Sequence, residues 1–349
     1  MALSAVGLST HIFNNQLKSA LLLAGFPVLL ALMLGAFFSG LDIALQKSHG
    51  TQIPLNWGHT LNAGLSGILQ YGHWAVLAAG VWFTIAWFFH GQMMRAASGA
   101  VPVTRQQMPR IYNMLENLCI SRGLPMPQFE VIDSPALNAF ACGINEKSYK
   151  IVLTRGIIDR LTDDELESVI AHELTHIVNR DVRLLVIAVI FVGMLSFLSE
   201  MTFRMLVRGR RFNAYAPRGR RGRGGGGAIV LLVALAILLI GYLLAILIRF
   251  ALSRKREYLA DAGSVELTKN PDAMMRALLR ISGKDKVEGM PDEVQQMCIE
   301  NSHNFMGIFA THPSIEDRVK AISDMTHTPT PTMQVSLRRG PRKPWDKPE

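Results

Sequence analysis

Cysteine is scarce: three in 349 residues, Cys119, Cys142 and Cys298, with no CxxC spacing among them. That excludes a disulfide framework and a thiolate metal site, and it fits a reducing compartment. Cys142 reads as a small buried residue rather than a reactive one. Charge is scarce as well. Asp, Glu, Lys and Arg make up only 18% of the chain against 49% hydrophobic residues, and mean hydropathy is positive. Ordinary soluble domains carry about 25% charged residues. Internal repeats are absent, which rules out a solenoid or an array.

The missing charge is concentrated in runs. Ser19 to Phe38, "SALLLAGFPVLLALMLGAFF", has no charge over 20 residues, close to the ~20 that a helix needs to cross a ~30 Å hydrocarbon layer. A second charge-free region runs from Ser48 to Met94, with its apolar centre at "WAVLAAGVWFTIAWFF", Trp74 to Phe89. A third lies between Arg183 and Glu200, and a fourth, Ala228 to Ile248, reads "AIVLLVALAILLIGYLLAILI". A single run of this kind is often a buried core helix; four in one chain describe an integral membrane protein. The first exceeds a signal-peptide core and lacks a small-residue cleavage site after it, so it reads as a retained anchor.

These runs divide the chain. Residues 1–94 form an N-terminal membrane anchor of two transmembrane helices, joined by a polar loop around Leu41 to Gly72. Residues 95–183 are soluble. In "QQMPRIYNMLENLCISRGL" the positions Ile111, Met114, Leu115, Leu118 and Cys119 recur at helical spacing. "QFEVI" and "YKIVLT" read as strands, with "SPALNAFACG" a turn into extended chain between them. From Asp163 the chain is helical, and Thr162 with Glu165 makes a Thr-x-x-Glu capping box. Residues 184–250 form an apolar helical hairpin around an Arg/Gly-rich loop. Residues 251–325 return to soluble helices, and 326–349 is a Pro-rich basic tail in which disorder is expected.

The soluble helix carries "AHELTHIVNRD", Ala171 to Asp181. Positions i and i+4 lie one turn apart, so the imidazoles of His172 and His176 can reach one ion, and Glu173 can hold a water made acidic by zinc. Leu166, Ile170, Leu174 and Ile177 form an apolar stripe beside the ligand face. A catalytic zinc needs a third protein ligand, and no third histidine follows at short spacing. The candidate is Glu257 in "SRKREYLAD", with Asp261 one turn on to accept a ligand histidine's free ring N–H. A Glu and an Asp so spaced are ordinarily a solvated helix face. Here an apolar hairpin out and back would return them to the side of His172.

"AHELTHIVNRD", an apolar hairpin and then "SRKREYLADAGS" resemble the HtpX-type membrane metallopeptidases, with the CAAX prenyl endopeptidases as more distant relatives on the same gluzincin core. "NAFACG" (Asn138 to Gly143) and "THPSIEDR" (Thr311 to Arg318) match two further segments of that family, so the resemblance spans the chain to about Met325. The Arg/Gly loop and the tail depart from the pattern. The resemblance implies an α-rich α+β membrane protein. Its zincin-like (gluzincin) metalloprotease domain would carry a small β-sheet, with a helical hairpin inserted between the HExxH helix and the third-ligand helix. It implies one Zn2+ per chain held by His172, His176 and Glu257, Glu173 as general base and later proton donor, and Asp261 orienting His172. Asn138, Ala139, Phe140 and Ala141 would pair with an extended substrate, and His312 would stabilise the oxyanion. For Asn138 turn chemistry, and for His312 a helix-start role, are the structural alternatives. No role attaches to His11, His49, His59, His73, His90, His303 or His327.

Charge bias gives two answers about sidedness. Lys18, Arg95, Arg105 and Arg110 flank the first two spans and outnumber Lys47 between them, which places the metal site in the cytoplasm. Yet eight arginines and no acid lie between Arg204 and Arg223. Either the 16-residue third run does not cross, or the domain faces outward. The resemblance favours a multi-pass protein of the bacterial inner membrane with a cytoplasmic site, in contact with the lipid bilayer. Its partners would be unfolded or damaged membrane-protein substrates, and no nucleic acid is expected. "TDDELES" before and "NRDVR" after make the HExxH helix too polar for lipid, which argues against an intramembrane protease. Two other readings stand beside quality control: a processing protease for one lipid-linked or prenylated peptide, and a non-catalytic zinc scaffold. The scaffold would need a fourth ligand that nothing nearby supplies.

Overall fold

The computed structural model describes residues 8–48, 56–191, 193, 204, 254–282, 298–299 and 313–331. The chain divides into two compact units, one of Met1–Met93 with Arg180–Leu252 and one of Met94–Asn179 with Ser253–Glu349.

The first unit is built on α1 (Leu8–Ser48) and α2 (Trp57–Ser98, whose last turn belongs to the second unit). Each contains a stretch long and apolar enough to cross a membrane, Leu17–Ile43 and Trp57–Ser98. Large apolar side chains point outward along both, including Leu32 at 63%, Leu69 at 82% and Phe88 at 75% exposure; a bilayer removes such surface from water. The expected polar loop from Leu41 to Gly72 is instead mostly helix, because its polar side chains pair with one another. Asp42 accepts from the Thr60 hydroxyl at 2.8 Å and lies 2.9 Å from His59 Nδ1. Asn56 Oδ1 accepts from the His59 amide at 3.1 Å, capping the start of α2. The third apolar run starts as helix at residues 181–191. Within this unit Phe191 stacks on Phe26 with ring centroids 4.0 Å apart, and Trp82 Nε1 donates to the Ile190 carbonyl at 3.4 Å. The fourth run and most of the Arg/Gly loop lie outside the described residues.

The second unit holds a four-stranded mixed sheet in the order β1-β2-β4-β3. The strands are β1 (Val101–Pro102), β2 (Gln128–Ile132), β3 (Ala139–Cys142) and β4 (Lys150–Thr154). β2 and β4 run parallel, while β1 and β3 are antiparallel to their neighbours. All five residues of β4 are buried, as a strand with neighbours on both sides requires. A buried carboxylate ties the sheet together: Glu130 Oε1 accepts from Lys150 Nζ at 2.7 Å and from Arg95 Nε at 2.6 Å. Cys142 and Cys119 are buried free thiols. Burial pushes Cys142 up to about 12 and Cys119 to about 11, so neither offers a thiolate near neutral pH.

Six helices among the described residues pack with this sheet or with one another. α3 (Pro109–Arg122) ends at Gly123, whose φ of 63° is the left-handed conformation that closes a helix. α4 is Arg155–Arg160, α5 Asp163–Val178, α6 Arg254–Thr268, α7 Pro271–Ile281 and α8 Ile315–Thr326. α7 and α8 share an apolar cluster of Met274, Met275, Leu278, Ile315, Val319 and Ile322. The helix from Pro109, the strands "QFEVI" and "KIVLT", and the helix from Asp163 all occur where the periodicity puts them. β1 and α4 are additions that the sequence pattern did not reveal.

Candidate metal centre

α5 starts where its capping chemistry dictates. The Thr162 hydroxyl accepts from the Glu165 amide at 3.4 Å, and the Glu165 carboxylate accepts from the Thr162 amide at 2.9 Å. Asp163, Asp164 and Glu165 set negative charge against the positive end of the helix dipole. Glu165 is fully buried and also takes a hydrogen bond from Arg280 Nε of α7 at 2.8 Å. This anchors the N-terminus of the helix one end away from its histidines. Leu166, Ile170 and Leu174 are at most 1% exposed, so the apolar stripe is in the core as its spacing implies.

α6 lies close against α5. A β-carbon on Gly263 would fall 2.4 Å from Thr175 Cγ2, and Ser264 Oγ donates to the Ser168 carbonyl at 2.6 Å. Glu257, Asp261 and Ser264, spaced one turn apart, are each at most 1% exposed. A helix face that would be solvated elsewhere is here turned inward, because its carboxylates meet cationic and imidazole partners.

One donor atom each from His172, His176 and Glu257 lies within 4.8 Å of the others. The two Nε2 atoms are 3.1 Å apart, with Glu257 oxygens 3.6 Å from His172 Nε2 and 3.9 Å from His176 Nε2. Ligands ~2.0–2.1 Å from a tetrahedral zinc sit roughly 3.3–3.4 Å from each other, so the three donors bracket that spacing. Behind them, Asp261 Oδ1 is 3.0 Å from His172 Nδ1. In the neutral ring this contact favours the proton on Nδ1, which leaves the Nε2 lone pair facing the cluster. The donor set of two imidazoles and a carboxylate suits zinc.

Electrostatics agree with that arrangement. Burial acts to lower the His172 pKa, but the hydrogen-bonded carboxylates of Asp261 and Glu257 outweigh it and raise it to about 9. Glu173, 2% exposed, is pushed above the usual carboxylate range by burial, against the lowering effect of His172 and His176. Asp261 is held below its ordinary value despite burial, because the Arg318 guanidinium lies beside it.

The remaining expected residues are placed unequally. Asn138 is 3% exposed at the start of β3, and its Oδ1 accepts from the Ala139 amide at 2.9 Å, the turn chemistry weighed against a substrate role. Ala139, Phe140 and Ala141 lie on β3, a terminal strand of the sheet. The Ala139 carbonyl, which the substrate reading would leave for a peptide, accepts from the Ile299 amide at 2.9 Å. His312 falls outside the described residues. Sequence reasoning overlooked Arg318: it is fully buried, with Nε 2.9 Å from Asp261 Oδ2 and Nη2 2.6 Å from Oδ1. It closes the "THPSIEDR" segment, whose histidine alone had drawn attention.

Two histidines one turn apart, a glutamate beside the first and a carboxylate from a second helix make a set of groups that could hold a metal ion, as a metallopeptidase centre requires. Comparison with known proteins agrees. Peptidase family M48 matches residues 105–326, and the chain belongs to that family. It is 41% identical over 324 residues to the Protease HtpX homolog of Bacteroides fragilis (strain YCH46), covering 90% of this chain and 97% of that protein. A Listeria monocytogenes (strain HCC23) Protease HtpX homolog is 36% identical over 246 residues, 67% of this chain and 79% of that one. A crystal structure of S. mikatae Ste24p aligns with 73% of this chain and 60% of its own, at 20% identity and a TM-score of 0.45. The chain is a membrane metalloprotease of the HtpX type that acts on polypeptides.

Proposed function

We propose that this protease is a zinc endopeptidase that hydrolyses misfolded or damaged membrane proteins from the cytoplasmic face of the bacterial inner membrane. The observation that carries the reading is the convergence of His172, His176 and Glu257 on one point, within 4.8 Å of one another, with buried Glu173 next in the chain to His172. His172, His176 and Glu257 would hold the ion. Bound zinc supplies Lewis acidity at the scissile carbonyl and makes a water acidic enough to attack near neutral pH. Glu173 takes the attacking water's proton on its carboxylate and returns it to the leaving amine; its raised pKa suits both halves of that transfer. Asp261 keeps the His172 tautomer. β3, with Asn138 to Ala141, would lie along an extended substrate, and His312 would support the oxyanion.

In this reading residues 1–94 anchor the protein and residues 95–183 and 251–325 build the peptidase. An apolar hairpin at 184–250 is inserted between the two ligand helices, and 326–349 forms a basic tail. The test is to measure zinc and casein cleavage for detergent-purified wild type and Glu173→Gln. The expected result is about one zinc per chain in both proteins, with cleavage reduced by roughly 10²–10⁴-fold in the variant. Equal cleavage by both would falsify the role given to Glu173, and zinc without any cleavage in either would favour a scaffold.

A further inference from the structure

Arg318 is a charged group buried beside the centre. It is fully buried on α8, yet its guanidinium spends three donors on two distant parts of the chain. Nε and Nη2 grip the two oxygens of Asp261 at 2.9 and 2.6 Å, a fork on a carboxylate. Nη1 donates to the Ile299 carbonyl at 2.9 Å and lies 3.8 Å from Glu257 Oε2. Ile299 in turn donates its amide to Ala139 on β3. One planar group thus joins the carboxylate behind a ligand histidine, the ligand carboxylate and the outer side of the terminal strand.

Asp261 is short of freedom for this reason. A lone aspartate between a histidine and a divalent cation can rotate, either abandoning the imidazole or adding itself as a further ligand. Here Oδ1 is shared between His172 Nδ1 at 3.0 Å and Arg318, while Oδ2 belongs to Arg318. Both oxygens are committed, so the carboxylate stays on the far side of the ring from the ion. His172 keeps its proton on Nδ1, and the coordination position needed for water stays open.

We propose that Arg318 is a positioning residue for the metal centre: by fixing both oxygens of Asp261 it sets the orientation of His172 and keeps Asp261 from becoming a ligand. This rests on the zinc reading above. A lysine would keep the positive charge but cannot reproduce a planar two-pronged grip.

The test uses the full chain in detergent, stripped of metal and titrated with zinc against a chromophoric chelator. Wild type is compared with Arg318→Lys, Arg318→Gln, Asp261→Asn and the double variant Arg318→Lys/Asp261→Asn, with thermal unfolding followed in parallel. Using two substitutions at Arg318 leaves the comparison intact if one of them does not fold. Expected are zinc affinity about tenfold weaker in Arg318→Lys, a fall in kcat with KM nearly unchanged, and little further loss when the same change is made on Asp261→Asn. Arg318 variants that hold zinc as tightly as wild type would overturn the inference. So would a loss that adds in full to that of Asp261→Asn, because Arg318 would then not be acting through Asp261. Wild type that takes up no zinc at all would remove the metal reading itself, and this inference with it.

Discussion

Gly263 of α6 lies so near Thr175 of α5 that a β-carbon there would stand 2.4 Å from Thr175 Cγ2 and 2.7 Å from its hydroxyl. The close approach occurs two residues from Asp261 on one helix and beside His176 on the other. The distance between α5 and α6 therefore depends on a missing methyl group.

Gly263→Ala should push the helices apart, at a cost of about 1–3 kcal/mol for overpacking. It should also weaken zinc binding, because Glu257 moves with α6. Adding Thr175→Ala removes both clashing atoms and should restore most of the loss. Thermal unfolding and zinc titration of the single and double variants check this; a double variant no better than Gly263→Ala would contradict it.

The raised pKa of His172 has a signed consequence. Zinc needs the neutral ring, so below about pH 9 binding must expel a proton from His172. Zinc affinity should therefore climb between pH 6 and pH 8, by up to about tenfold per unit. For the metal-free protein the direction reverses. The stability that protonated His172 gains from Asp261 and Glu257 is complete below its ordinary value of 6.5 and is lost as pH rises through about 9. Chelator competition and unfolding of the stripped protein at several pH values read the two trends. An affinity that stays level across that range would count against the assignment.

Glu130 carries a purely structural prediction. Glu130→Gln strands Lys150, whose side chain is 6% exposed, whereas Arg95 at 36% can turn to water. The expected loss is about 3 kcal/mol, and Glu130→Gln/Lys150→Met should recover most of it, since no buried charge then remains unpaired. Zinc stoichiometry of the folded fraction should not change in either protein. A Tm for Glu130→Gln matching that of wild type would show that the pair contributes nothing.

Much of the site was legible because its determinants are local. The Thr162–Glu165 box, the stripe of Leu166, Ile170 and Leu174, and the one-turn spacing of His172 and His176 all lie within a few residues of each other. Glu257 and Asp261 could be singled out by spacing, but their burial could not, since it depends on Gly263 and Ser264 meeting α5. Arg318 was invisible for a related reason. On a short amphipathic helix an arginine reads as solvated, and its partner Asp261 belongs to another helix far back in the chain. β1 has two residues and α4 six, too short for either periodicity to register. The polar stretch between the first two spans was misjudged because Asp42, His59 and Thr60 satisfy one another across two helices.

Sidedness can be tested directly. A reporter fused at Ser121 should signal the cytoplasm. A second reporter after Gly226 asks whether the apolar runs on either side of it cross: a periplasmic signal there means that they do. A periplasmic signal at Ser121 would reverse the orientation proposed for the whole peptidase.

The pieces of the centre are spread widely along the polypeptide, with both imidazoles coming first, the carboxylates of α6 after the later apolar runs, and Arg318 near the end. A ribosome adding ~5–20 residues per second needs on the order of ten seconds to travel from His176 to Glu257. Throughout that interval the nascent chain lacks the third of the proposed zinc ligands, so on the proposed mechanism it has no complete centre with which to cut itself or its neighbours. On that reading hydrolytic competence arrives only after the apolar runs have been made, a safeguard that follows from the order of residues along one chain and requires no separate inhibitor.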